Sequence, residues 1–62
     1  MYKYKVEYVA YGYDYNKYEG EKIIMSNYTD MDVVTDKAIN DIARSRAFSK
    51  RSINIITIES MN

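Results

Sequence analysis

The first residues of the chain alternate between apolar and charged side chains, a period of two that is typical of a half-buried strand. The alternation begins as Tyr2, Lys3, Tyr4, Lys5, Val6, Glu7, Tyr8. After Glu7 the second face also becomes apolar, with Val9 and then a run of tyrosines at every second position. The pattern predicts a strand over residues 2–13 that is one-sided at its start and two-sided at its end, with a bulge at Gly12.

The rest of the chain divides into four predicted segments. Turn residues predict a hairpin loop over residues 14–20, and residues 22–28 predict the returning strand. Residues 30–48 place apolar side chains at helical spacing behind Thr29, a suitable N-cap. The predicted buried face of this helix consists of Met31, Val34, Ala38, Ile39 and Ile42. Residues 52–59 are rich in β-branched side chains and predict the last strand.

The order strand, strand, helix, strand predicts one small α+β domain over residues 1–62. The first two strands form an antiparallel hairpin, and the helix then returns the chain across one face of the sheet. The third strand is therefore expected beside the first, which gives a three-stranded antiparallel sheet in the order 2-1-3.

The isoleucines of the last strand are predicted to point to both faces of the sheet. Alternation assigns Ile53 and Ile55 to one face and Ile56 and Ile58 to the other. One helix covers one face only, and a chain of this size obtains roughly 3–5 kcal/mol from its own core. We therefore expect a partner to cover the second face. A homodimer in solution is predicted, and a different protein is the alternative occupant of this face.

Tyrosine is the most distinctive residue of the chain, with 8 copies. Those at the start share the face of Val6 and are expected in the core. The predicted first strand spans about 40 Å and the predicted helix about 27 Å, so the hairpin should extend beyond the helix. Tyrosine offers rigid contact area at low entropic cost, so the tyrosines of this end are the predicted partner-binding residues: Tyr11, Tyr13, Tyr15 and Tyr18.

Composition excludes several classes of function. Cysteine and histidine are absent, which removes disulfides, Cys/His metal sites and histidine-activated nucleophiles. We expect no enzymatic activity, no cofactor and no metal. The longest apolar run without tyrosine, Ile23-Ile24-Met25, is far shorter than the ~20 residues of a membrane span, and no signal-peptide pattern is visible. A cytoplasmic location with no membrane contact is therefore expected.

A basic cluster surrounds Phe48 near the predicted end of the helix. Basic and aromatic side chains together bind single-stranded nucleic acid, so the alternative site combines the exposed tyrosines with this basic cluster: Arg44, Arg46, Lys50 and Arg51. However, 9 Lys+Arg balance 9 Asp+Glu, and a neutral chain lacks the basic surplus typical of such proteins. Cations at a helix C-terminus also complement the helix dipole without any ligand.

In its overall character, a short, cysteine-free sequence rich in Tyr, Ile, Asn and Lys, the chain resembles small accessory proteins of phages and mobile elements. Anti-CRISPR proteins and other host inhibitors belong to this group. The resemblance implies a non-enzymatic protein that binds and blocks a bacterial host or defence protein, such as a CRISPR-type nuclease, in the host cytoplasm. The alternatives are a single-stranded nucleic-acid-binding protein and a structural subunit of a larger assembly.

Overall fold

A computed structural model describes residues 1–61 and contains three strands, one α-helix and one short 3-10 helix. In chain order these are β1 (Tyr2–Tyr11), β2 (Lys17–Ser26), α1 (Met31–Arg46), the 3-10 helix (Lys50–Ser52) and β3 (Ile53–Ser60). The central strand, β1, pairs antiparallel with both others, in the order β2-β1-β3. The predicted α+β fold and strand order are therefore confirmed. Within residues 1–61, no helix has the length and apolar character that a membrane span requires.

The core lies between α1 and one face of the sheet, called here the core face. From β1 it contains the side chains that the alternation predicted from residue 4 onward: Tyr4, Val6, Tyr8 and Ala10. Tyr2 was expected there too, but it is 42% exposed at the start of the strand. From α1 it contains Val34, Ala38 and Ile42, all fully buried at helical spacing. Met31 was also expected on this face, but it is exposed because it lies in the first turn of the helix, beyond the packed region.

Both ends of the helix differ from the prediction. Asp30, rather than Thr29, is the N-cap, because its side chain accepts a hydrogen bond of 2.9 Å from the Asp32 backbone N–H. At the other end Ala47 adopts a left-handed conformation, with φ 57°, which ends the helix before residue 48. Phe48 therefore leaves the helix and packs into the core.

The hairpin loop is shorter than predicted and lies earlier in the chain. β1 ends at Tyr11 and β2 already begins at Lys17, so the predicted loop over residues 14–20 largely belongs to a strand. The reason lies at Gly20, which pairs with Tyr8 inside the sheet. A Cβ atom at residue 20 would lie 2.8 Å from the Tyr8 hydroxyl oxygen, so this glycine makes room for a ring rather than for a turn.

A bulge lies in β3 instead of at Gly12. Glu7 pairs with Thr57 and Tyr8 pairs with Ile55, which leaves Ile56 as an extra residue. The extra residue changes the alternation, so the isoleucines are not divided as predicted. Three of them face the core: Ile53, which is buried, and Ile55 and Ile58, which are partly buried against it. Ile56 alone points to the opposite, outer face, beside Glu7 and Glu21.

Candidate protein-binding hairpin tip

Residues 12–16, called here the hairpin tip, form a tight connection between β1 and β2. The Gly12 N–H donates to the Asn16 carbonyl, and the Tyr15 N–H donates to the Gly12 carbonyl, both at 3.0 Å. This is the pattern of a three-residue loop in which a turn is followed by one residue in the left-handed region. The tip is therefore a defined turn rather than an extended strand, and it places Tyr13 and Tyr15 in a loop.

Tyr15 occupies the position of this loop that normally requires glycine. Its φ is 64°, in the left-handed region that disfavours residues with a Cβ atom. Its side chain is 92% exposed, and that of Tyr13 is 79% exposed. Neither ring is buried in the fold. At Tyr15, a strained backbone position therefore carries an aromatic side chain that is exposed to solvent. Tyr11, the last residue of β1, is about half exposed.

Asp14 organises the tip from within. Its carboxylate accepts hydrogen bonds from the Asn16 backbone N–H at 3.1 Å, from the Asn16 side-chain amide at 3.1 Å and from the Tyr18 hydroxyl at 2.7 Å. Gly12 permits this arrangement, because a Cβ atom there would lie 2.7 Å from the Asp14 Oδ1. We call this set of hydrogen bonds the Asp14 clasp. It fixes the base of the loop while Tyr13 and Tyr15 remain exposed.

The clasp shifts the titration of both its ionisable members. The hydrogen bond from Tyr18, followed by that from the Asn16 backbone, lowers the pKa of Asp14 below its usual value. The same bond to the Asp14 carboxylate raises the pKa of Tyr18. At neutral pH Asp14 is therefore ionised and Tyr18 keeps its proton, which is the pair of states that the clasp requires.

Tyr18 links the hairpin tip to the end of the helix. Its ring packs at 5.5 Å from the Phe48 ring, tilted by 42°, and the Arg46 guanidinium lies 5.7 Å from the Phe48 ring centroid. Tyr18 was predicted to lie in the part of the hairpin that extends beyond the helix. It is instead half-buried against the end of the helix. A shallow groove of about 450 Å³ separates Tyr13 from these residues and from Ala47.

The predicted basic cluster is spread over several places. Arg46 lines the groove beside the hairpin tip, whereas Arg44 lines a different groove next to Asp41 and β2. Lys50 and Arg51 belong to the short 3-10 helix, and all four side chains are exposed. Within residues 1–61 no group of three or more acidic, histidine or cysteine side chains is arranged to hold a metal ion.

The sequence predicts the tyrosines of the candidate site but not the residues that fix the loop around them. Asp14 and Asn16 were assigned only as turn residues, although Asp two positions before Asn is a pattern that supports a side-chain-to-backbone turn. Phe48 was placed in the helix, and its contact with Tyr18 joins residues thirty positions apart in the chain, which no local pattern reveals. Comparison with protein-family models, curated proteins and solved structures finds no match to this chain.

Proposed function

We propose that this protein is a non-enzymatic protein-binding module whose contact surface is the hairpin tip, with Tyr13 and Tyr15 as its anchors. The observation that carries the proposal is Tyr15, an almost fully exposed aromatic side chain on a left-handed backbone position. Such strain costs about 1–3 kcal/mol and is concentrated at functional sites. The exposed Tyr15 ring contributes little to the stability of the fold. Contact with another molecule therefore explains why the strained position carries a tyrosine.

Preorganisation supports a protein partner for the tip. Ordering a loop on binding reduces affinity, and a loop that is already rigid avoids that loss. The Asp14 clasp and the two backbone hydrogen bonds of the turn fix the loop before any partner arrives. Tyrosine itself has only two side-chain torsions and presents both an apolar ring and a hydroxyl, which suits contacts with protein surfaces.

The basic and aromatic residues give less support to a nucleic-acid site. Phe48 is only 8% exposed and is flanked by Tyr18 and Arg46, so its faces do not offer a platform for a base. Arg44 and Arg46 line different grooves rather than one track along a nucleic-acid backbone. The chain also has no net positive charge.

We propose further that the partner is a bacterial host or defence protein, with a CRISPR-type nuclease as the sharpest form of the hypothesis. The support is the compositional resemblance to phage and mobile-element inhibitors, together with two highly exposed aromatic rings at the hairpin tip. Such an inhibitor would act by occupying a surface of its target, without catalysis, in the host cytoplasm.

A capture experiment tests the contact surface. The wild-type chain, the Tyr15→Gly variant and an Arg44→Ala/Arg46→Ala variant are immobilised, and each is exposed to bacterial lysate with and without nuclease treatment. We expect a protein that is retained by the wild type and by the arginine variant, and that is retained about thirtyfold less by Tyr15→Gly, the loss typical of a hot-spot residue. Raising the salt concentration should change its retention little, because the contact is mainly aromatic.

The opposite pattern would contradict the proposal. Retention that survives Tyr15→Gly, disappears with the arginine variant and weakens steeply with salt would indicate nucleic-acid binding instead. A retained protein should then be assayed for its own activity with and without the chain. Inhibition by the wild type, and not by Tyr15→Gly, would support the inhibitor hypothesis.

A further inference from the structure

The outer edge of β3 is the least protected edge of the sheet. The order β2-β1-β3 leaves no strand of residues 1–61 beside it. Edge strands are commonly protected by lysine, by proline or by a β-bulge, which discourage pairing with other chains. β3 has a bulge but no lysine or proline, and it contains one charged residue, Glu59, whereas the opposite edge strand carries four: Lys17, Glu19, Glu21 and Lys22.

The core also remains open along this edge. Ile55 and Ile58 face the same side of the sheet as α1, and they pack against the core. Both are nevertheless only partly buried, in contrast to Ile24 on β2, which is 2% exposed. Further apolar side chains placed alongside β3 on the core face would therefore continue the existing core.

The bulge makes β3 symmetric about its centre. Residues 54–59 face, in order, outer, core, outer, outer, core and outer, and this order is the same when it is read backwards. A strictly alternating strand is symmetric about each of its residues, whereas the bulge places the centre of symmetry between two residues and so fixes the one register of self-pairing in which faces match. The symmetry arises because Ile56, the extra residue of the bulge, lies beside Thr57 at the centre.

We propose that β3 pairs antiparallel with β3 of a second copy, with the two-fold axis between Ile56 and Thr57. In this register every residue of the segment lies opposite one that has the same face. Ile55 of each chain then contacts Ile58 of the second copy on the core face. The dimer has one continuous six-stranded sheet with both helices on the same side.

Charge also favours this register. Glu59 of one chain lies opposite Asn54 of the second copy, so its carboxylate meets a side-chain amide that can donate a hydrogen bond. The same pair occurs twice, once at each end of the segment. In this register Glu59 of one chain does not lie opposite Glu59 of the second copy. The proposal does not depend on the hairpin tip, since none of its residues belongs to β3.

Substitutions of Asn54 test the register. This residue is exposed on the outer face and its partner within the chain is Val9, so a charge at position 54 leaves the monomer fold intact. Asn54→Glu places two glutamates opposite each other at both ends of the dimer, whereas Asn54→Lys creates two ion pairs. Sedimentation of each variant across a dilution series gives its dimer dissociation constant, and circular dichroism confirms its fold.

We expect the wild type to approach twice the 7.3 kDa mass of the chain as concentration rises. Asn54→Glu should raise the dimer dissociation constant about three- to thirtyfold and Asn54→Lys should lower it, with both effects smaller at high salt. Tyr15→Gly should dimerise like the wild type, which separates this proposal from the one for the tip. A wild type that stays monomeric, or a dimer that responds equally to both Asn54 substitutions, would overturn the inference.

Discussion

Replacing Tyr15 with glycine should stabilise the fold while it removes the proposed binding activity. A left-handed residue with a Cβ atom costs roughly 1–2 kcal/mol, and glycine removes that cost. Glycine also gains flexibility in the unfolded chain, which offsets roughly 0.5–1 kcal/mol of the benefit. The ring is 92% exposed, so its loss subtracts little buried apolar area. The expected net gain is about 0.5–1 kcal/mol.

A gain of this size is measurable by thermal unfolding. For a domain of this length, 1 kcal/mol corresponds to a rise in Tm of roughly 4–8 °C, so we expect an increase of a few degrees. Tyr13→Gly is the matched control, because Tyr13 is also highly exposed but does not have a positive φ. That substitution adds only flexibility to the unfolded chain, and its Tm should stay the same or fall.

The signs of the two Tm changes show whether the backbone at residue 15 is strained. If Tyr15→Gly lowers the Tm as much as Tyr13→Gly does, the backbone at residue 15 is not strained, and the argument from strain to function fails. If Tyr15→Gly raises the Tm and leaves partner capture unchanged, the strain is real but has another origin. A raised Tm together with the loss of partner capture would support both the strain at residue 15 and its link to binding.

Three further predictions concern the core, the helix end and the Asp14 clasp. Ile42→Ala should lower the free energy of unfolding by about 2–4 kcal/mol in a denaturant titration, since Ile42 is fully buried. A loss below about 0.5 kcal/mol would mean that α1 packs through another face. Ala47→Gly should raise it by about 0.5–1 kcal/mol, because Ala47 has φ 57°, and a decrease would contradict a left-handed helix end. Because the folded pKa of Asp14 is lowered, its stabilisation is complete above the unfolded pKa and is lost as the pH falls through the folded value. The raised pKa of Tyr18 also stabilises the fold, and this contribution is complete below the unfolded pKa and is lost as the pH rises through the folded value. Asp14→Asn should return the pKa of Tyr18 toward its ordinary value in an NMR titration.

Much of the fold was predictable because the relevant signals are periodic. The alternation of β1 and the spacing of Val34, Ala38 and Ile42 gave the correct faces, and the chain order gave the strand order. The bulge was not predictable, since Ile56 is an ordinary strand residue and nothing local marks it as the extra one. The position of the bulge depends on how β3 pairs with β1, which is a long-range property.

Glycine and its absence explain the errors at the hairpin loop and at the end of the helix. Gly20 suggested a turn, but it lies inside β2 opposite Tyr8. Conversely, the two left-handed residues, Tyr15 and Ala47, are not glycines, so the usual marker of a turn or a helix end was missing at both. The tyrosine-rich segment was identified as the candidate site by composition, yet the division between exposed rings and the half-buried Tyr18 required the contact with Phe48.

Because Gly20 lies so close to Tyr8, the residue type at one of these positions restricts the residue type at the other. A methyl group at residue 20 would lie 2.8 Å from the Tyr8 hydroxyl oxygen and 3.0 Å from the ring carbon that bears it. Gly20→Ala alone therefore has to displace a ring that is 95% buried, whereas the same change combined with a smaller apolar residue at position 8 does not. In homologues of this chain, a side chain at position 20 should accompany the loss of the ring at position 8, so the two positions should change together across the family.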